Sequence, residues 1–137
     1  MRMALDLARE AESAGEVPAG AVVVLDNRVI GRGRNSPIER NDPTAHAEIL
    51  ALRDAGAAIG NYRQEGATLY STLEPCVMCA GALSWAQIGR IVYGASDQRR
   101  GFNLVGHPLL HPKTKINGGV LENECSSIIK TFFQKKR

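Results

Sequence analysis

Short apolar runs alternate with helical periodicity along nearly all of this chain, and that alternation restricts it to a layered α/β fold with helices against a central sheet. Residues 21–25, Ala21-Val22-Val23-Val24-Leu25, form a continuous apolar run that reads as a buried strand. Asp26-Asn27 turns it into a second strand over 29–33. Two strands this close pair as a hairpin, so the sheet is expected to be mixed. Further strands are expected at 67–72 and 90–94, with a weak one near 115–116. A first helix covers 2–14, with Ala4, Leu5, Ala8 and Ala11 on one face and Gly15 as its stop. A second runs over 41–56, opened by Asn41-Asp42-Pro43-Thr44, with Ala45, Ile49, Leu50 and Leu52 toward the core. A third starts at Pro75 and carries Cys76, Cys79, Leu83 and Trp85. In the last, Cys125, Ile128, Ile129, Phe132 and Phe133 make one apolar stripe at i, i+3, i+4, i+7 and i+8. The stretch 97–112 reads as irregular.

With 137 residues the chain is expected to be a single domain over 1–137 that buries its core without staples. No apolar run is long enough to span a bilayer, and the start lacks the apolar centre of a signal peptide. The expectation is a cytoplasmic protein with no membrane partner. Three cysteines, Cys76, Cys79 and Cys125, do not form a secreted disulfide framework. The net charge of +3 is unevenly spread: nine Lys/Arg face three Asp/Glu from Arg90 onward, against eight and eleven before it. The C-terminal part is where a phosphate-bearing partner would bind, or it is a solvated tail.

The chemistry sits in two segments, Thr44-Ala45-His46-Ala47-Glu48 and Glu74-Pro75-Cys76-Val77-Met78-Cys79. Cys76 and Cys79 lie three apart at a helix start, where exposed amides and the helix dipole favour thiolates. Two thiolates and the His46 imidazole suit zinc, with a fourth position left to water. Glu48, two residues after His46, is better placed to exchange protons with that water than to join the ligands. The combination points to hydrolytic deamination of an amidine carbon. A closed structural site would need a fourth ligand. Cys125 lies on the core stripe, and His107 and His111 read as surface or RNA-facing loop residues.

Beyond this core, the strings Asp42-Pro43-Thr44-Ala45-His46-Ala47-Glu48-Ile49, Asn61-Tyr62-Arg63 and Thr72-Leu73-Glu74-Pro75-Cys76-Val77-Met78-Cys79-Ala80-Gly81-Ala82 resemble the bacterial tRNA-specific adenosine deaminases. The similarity extends through Glu16-Val17-Pro18, Gly20-Ala21-Val22, residues 90–94 and Phe132-Phe133, nearly the whole chain. It implies a three-layer α/β/α cytidine-deaminase-like fold with a central mixed sheet, a homodimer, and one zinc ion per subunit. It also implies that His46, Cys76 and Cys79 are the ligands and Glu48 the proton shuttle. The substrate is then the wobble adenosine of a tRNA anticodon loop, converted to inosine. By the same match Asn35 binds the target nucleoside, Val17, Pro18, Ala47 and Leu73 form the pocket, and Asp97 lies near the nucleic-acid backbone. Phe133, Lys135, Lys136 and Arg137 match an RNA-contacting C-terminal helix, although both Phe132 and Phe133 also fit the core stripe, and Asn35 and Asp97 also suit turns. Three departures stand out: the chain begins later than the common form, so its first helix is expected to be trimmed, the segment after Asp97 is short, and Ser84-Trp85-Ala86-Gln87 replaces a more basic stretch. Two other readings remain open, a deaminase of guanine, cytosine or a free nucleoside, and a non-catalytic zinc or RNA-binding module.

Overall fold

The computed structural model describes residues 1–105 and 108–136. Five strands form one sheet in the order β2-β1-β3-β4-β5: β1 (Gly20–Leu25), β2 (Arg28–Arg34), β3 (Thr68–Leu73), β4 (Arg90–Ala95) and β5 (Lys115–Asn117). The sheet is mixed: β1 is antiparallel to both β2 and β3, whereas β3, β4 and β5 run parallel. The hairpin turn Asp26-Asn27 holds φ of 51° and 61°, the paired left-handed residues that match strand twist in a two-residue connection. Asp and Asn tolerate that conformation better than most side chains.

Helices α1 (Arg2–Ser13) and α5 (Glu122–Lys135) pack on one face of the sheet, α3 (Ala47–Ile59) and α4 (Val77–Ala86) on the other. The larger core lies on the α3/α4 side, where Leu69, Leu83 and Ile91 are fully buried. Each such side chain stabilises the fold by about 1.5–3 kcal/mol. A smaller cluster on the other side joins Leu5, Ala95 and Cys125, so Cys125 is a core residue remote from the other two cysteines' helix.

Helix α3 sits unusually close to β2. A Cβ added to Gly33 would lie 2.2 Å from the Ala47 carbonyl oxygen, and one at Gly31 would lie 2.3 Å from that of Ala51. Glycine at these positions lets the helix start press directly onto the sheet, which fixes where His46 and Glu48 stand.

That helix begins later than the capping residues suggest. Asn41 is the left-handed C-cap of a short helix α2 (Pro37–Arg40), which the apolar periodicity does not announce. The Asp42 carboxylate accepts from both the amide and the hydroxyl of Thr44, at 2.8 and 2.7 Å. This closes a local turn instead of capping a helix. His46 then holds an extended backbone (φ −75°, ψ 152°) and is itself the N-cap residue of α3. On α5, Cys125 and Phe132 are buried, while Phe133 is half exposed. Among the described residues no helix is long and apolar enough to cross a membrane.

Candidate active site

Parallel strands β3 and β4 end side by side, with Leu73 paired to Ala95, and the chain leaves both at the same edge. Such an edge is where open α/β sheets collect ligands. From β3 the chain enters Glu74-Pro75-Cys76 and then α4, for which Cys76 is the N-cap residue. His46 arrives from the N-cap position of α3. Two helix starts therefore meet, and their free amides favour negative charge.

The His46 Nδ1 lies 3.6 Å from Cys76 Sγ and 3.5 Å from Cys79 Sγ. All three donor atoms fall within 4.8 Å of one another. A tetrahedral zinc with ordinary Zn–N and Zn–S bonds needs nitrogen–sulfur separations of about 3.6 Å. Donor chemistry and spacing both fit. Among the described residues no fourth His, Cys or carboxylate joins the cluster. His111 has another use, accepting a hydrogen bond from the Lys113 amide through Nδ1 at 3.1 Å; His107 lies outside the described residues.

Electrostatics follow from this crowding. The hydrogen bond from Cys79 holds the Cys76 thiol far below the usual range, to about 4, with His46 adding to the effect against burial. Cys79, fully buried, is pushed up by the same hydrogen bond and by burial. His46 is raised, chiefly by its hydrogen bond to Cys76. Glu48, only 6% exposed, is raised chiefly by burial. A carboxyl shifted upward in a cleft is a group suited to holding and releasing a proton.

The cluster opens onto a cavity of about 700 Å³. Its wall contains His46, Glu48 and Cys76 together with Val17, Asn35, Leu73 and Asp97. Pro18 and Ala47, expected in the pocket, are buried and do not line it, Ala47 being part of the core. Asp97 Oδ1 accepts from the Arg99 and Arg100 amides at 3.0 Å each, which makes it a turn-forming residue at the cavity rim. A second cavity of about 700 Å³ abuts the first across Leu73, Asp97, Arg99 and Arg100 and is walled on its far side by Phe133, Lys130 and Lys136. Lys135 is exposed on the last turn of α5, and Arg137 lies outside the described residues.

Several contributors were not singled out by sequence reasoning. Arg99 and Arg100 line both cavities. Glu16 is buried and accepts from the amides of Ile38 and Glu39 at 3.2 and 2.8 Å, fastening the turn that follows Asn35. Glu74 is the other buried acid at the cavity, and its position just before Pro75-Cys76 was the signal that could have found it.

Comparison with known proteins agrees with the architecture. The family model of MafB19-like deaminases matches residues 1–137. The tRNA-specific adenosine deaminase of Haemophilus influenzae is 50% identical over 143 residues, covering 100% of this chain and 83% of that protein. A solved structure from a study of A-to-I editing by tRNA:A34 deaminases at the wobble position superposes with a TM-score of 0.88 at 47% identity, covering 93% of this chain and 96% of that one. The guanine deaminase of Bacillus subtilis superposes less fully, with a TM-score of 0.66 at 42% identity over 69% of this chain and 61% of that one. The chain belongs to the tRNA-specific adenosine deaminase family.

Proposed function

We propose that this chain converts adenosine to inosine at the wobble position of a tRNA anticodon, with zinc held by His46, Cys76 and Cys79 and with Glu48 moving the protons. The observation that carries the reading is a buried acid beside a three-donor cluster, both facing one nucleoside-sized cavity. A zinc ion in that cluster supplies the Lewis acidity that makes water a nucleophile near neutral pH. Glu48 accepts a proton from the attacking water and delivers it to purine N1 as the oxygen bonds to C6. It then carries the remaining hydroxyl proton to the amino nitrogen, so that the C6–N bond breaks, ammonia leaves and C6 becomes a carbonyl. Asn35, Val17 and Leu73 orient the base against the donor cluster. A target base must be unstacked to enter, which costs least in a single-stranded loop. An RNA-modifying enzyme of this kind works where tRNA is found, in the cytoplasm. Inosine formation in an anticodon stem–loop, set against free guanine, cytidine and adenosine, tests the reading.

The second cavity fits the flanking RNA. Phe133 offers a face on which a base can stack, and Lys130, Lys136, Arg99 and Arg100 surround it with positive charge. Lys135 adds to that surface, and in the sequence Lys135 and Lys136 are followed by Arg137. Replacing these last three with Gln is expected to weaken stem–loop binding and to lower the slope of log K against log salt by about 0.7 for each phosphate that is no longer neutralised. An unchanged slope in a salt titration would show that the tail only solubilises.

The same proposal includes a homodimer. Helix α4 buries Cys79, Ala80, Leu83 and Ala86 on one side, yet Val77, Met78 and Trp85 on its other side are exposed, Trp85 by 79%. Trp85 borders a surface groove between α3 and α4 together with Tyr62 and Ile49, whereas Val77 and Met78 line the substrate cavity. A helix apolar on all sides needs a cover, and a second copy supplies one of matching character. Trp85→Glu is expected to convert a dimer to a monomer in sedimentation at micromolar concentration. A wild-type chain that sediments as a monomer there would contradict this.

A further inference from the structure

We infer that Glu74 is a positioning residue that holds the segment 97–103 in place as one wall of the substrate cavity and couples that wall to the Cys76 side of the site. Glu74 follows the last residue of β3 and is 4% exposed. Its own amide donates to the Ala95 carbonyl at 2.8 Å, where β4 ends. Its two carboxylate oxygens then serve opposite ends of the next excursion of the chain. Oε1 accepts from the Asp97 amide at 3.1 Å and Oε2 from the Asn103 amide at 3.0 Å. A single side chain thus closes a loop whose ends are six residues apart in sequence. Ionised acceptors make the stronger hydrogen bonds, and a buried carboxylate is tolerated only when its oxygens find such donors.

The neighbours of Glu74 grip the same loop. The Pro75 carbonyl accepts from the Phe102 amide at 2.9 Å, and Cys76 forms an isolated antiparallel bridge with Gly101. Gly101 is shaped to this approach: a Cβ there would lie 2.2 Å from Glu74 Oε2 and 2.5 Å from the Asp97 carbonyl oxygen. Three consecutive residues, Glu74, Pro75 and Cys76, therefore hold the segment that presents Asp97, Arg99, Arg100 and Gly101 to the cavity. Both Glu74 oxygens are committed to the loop amides and not to the donor cluster, so its effect passes through the loop. The inference rests on the cavity being the substrate site, as proposed above.

The test uses the full-length, zinc-loaded chain and compares it with Glu74→Gln and Gly101→Ala. The Gln side chain keeps the size but turns an NH2 group toward one of two backbone N–H donors. The added Cβ at Gly101 displaces the carboxylate from the loop side. Amide hydrogen exchange is read first, without RNA. Protection of Asp97 and Asn103 is expected to fall about tenfold or more while β3 and β4 keep theirs. Zinc content should stay at one per chain. The KM for an anticodon stem–loop is then expected to rise about tenfold with kcat changed by less than about twofold, because the wall binds ground state and transition state alike. Unchanged exchange at Asp97 and Asn103 overturns the inference, as does protection that falls evenly across the sheet. A loosened loop with an unaltered KM overturns it too. Because exchange is measured without substrate, failure of the tRNA assignment would leave the loop result standing and show as absent turnover in the parent chain.

Discussion

Glu48→Gln is expected to keep a full complement of zinc and to lose about 10²–10⁴-fold in turnover, the range that a positioned proton-transfer group contributes. The amide preserves the volume of a side chain that is only 6% exposed, so the core around the start of α3 should not collapse. It cannot accept a proton from water. Because the swap keeps the buried volume, the melting temperature should stay close to that of the parent. Metal analysis, thermal melting and single-turnover kinetics on one preparation separate these effects. Near-parental turnover in a zinc-replete variant would remove Glu48 from the mechanism.

Cys76→Ala and Cys79→Ala should fail differently, losing metal, stability and turnover together. A ligand that binds only the folded state stabilises it by mass action, about 4 kcal/mol at a thousandfold excess over Kd. Metal sites of this type couple binding to folding. The parent chain is therefore expected to lose several degrees of melting temperature on chelation, whereas neither variant should respond. Cys125→Ala serves as the control. It lies in the small cluster with Leu5 and Ala95, so it should lower stability through poorer packing while leaving zinc content unchanged. Stoichiometric zinc in both Cys76→Ala and Cys79→Ala would refute the ligand set.

How far these expectations could be read from the chain alone depends on the kind of contact involved. The hairpin at Asp26-Asn27 and the alternation of strands and helices follow from local periodicity and turn chemistry, and the structure shows them; of the stripe on α5 it buries Cys125 and Phe132. The donor cluster was legible because Cys76 and Cys79 are local to one another, and His46 completes a residue set that few other chemistries require. Element boundaries were harder where one residue type serves two ends. Asp42 looks like a helix cap, but it folds back on Thr44, and α3 waits until Ala47. Helix α2 did carry a signature, Ser36 at N-cap and Pro37 at N1, that shortness made easy to pass over. The partners of Glu16 and Glu74 were not assignable from sequence for a deeper reason, even though Glu74 stands next to the Pro75-Cys76 motif. Those partners are backbone amides 22 to 29 residues away, and a backbone amide has no identity in the sequence. Phe133 shows the limit of periodicity: it keeps the spacing of the buried stripe yet stands half exposed, because there α5 borders the second cavity instead of packed core.

The central claim is that a flipped wobble adenosine meets Glu48 and the donor cluster in one cavity. Its most direct measurement is mass-spectrometric detection of inosine after incubating the zinc-loaded chain with an anticodon stem–loop bearing adenosine at the wobble position, with free adenosine, guanine and cytidine in parallel. The account predicts inosine at that one position, abolished by Glu48→Gln, and negligible turnover of the free compounds. Turnover of a free base or nucleoside with an untouched stem–loop would contradict it, keeping the same donor cluster but assigning the cavity to a small-molecule substrate.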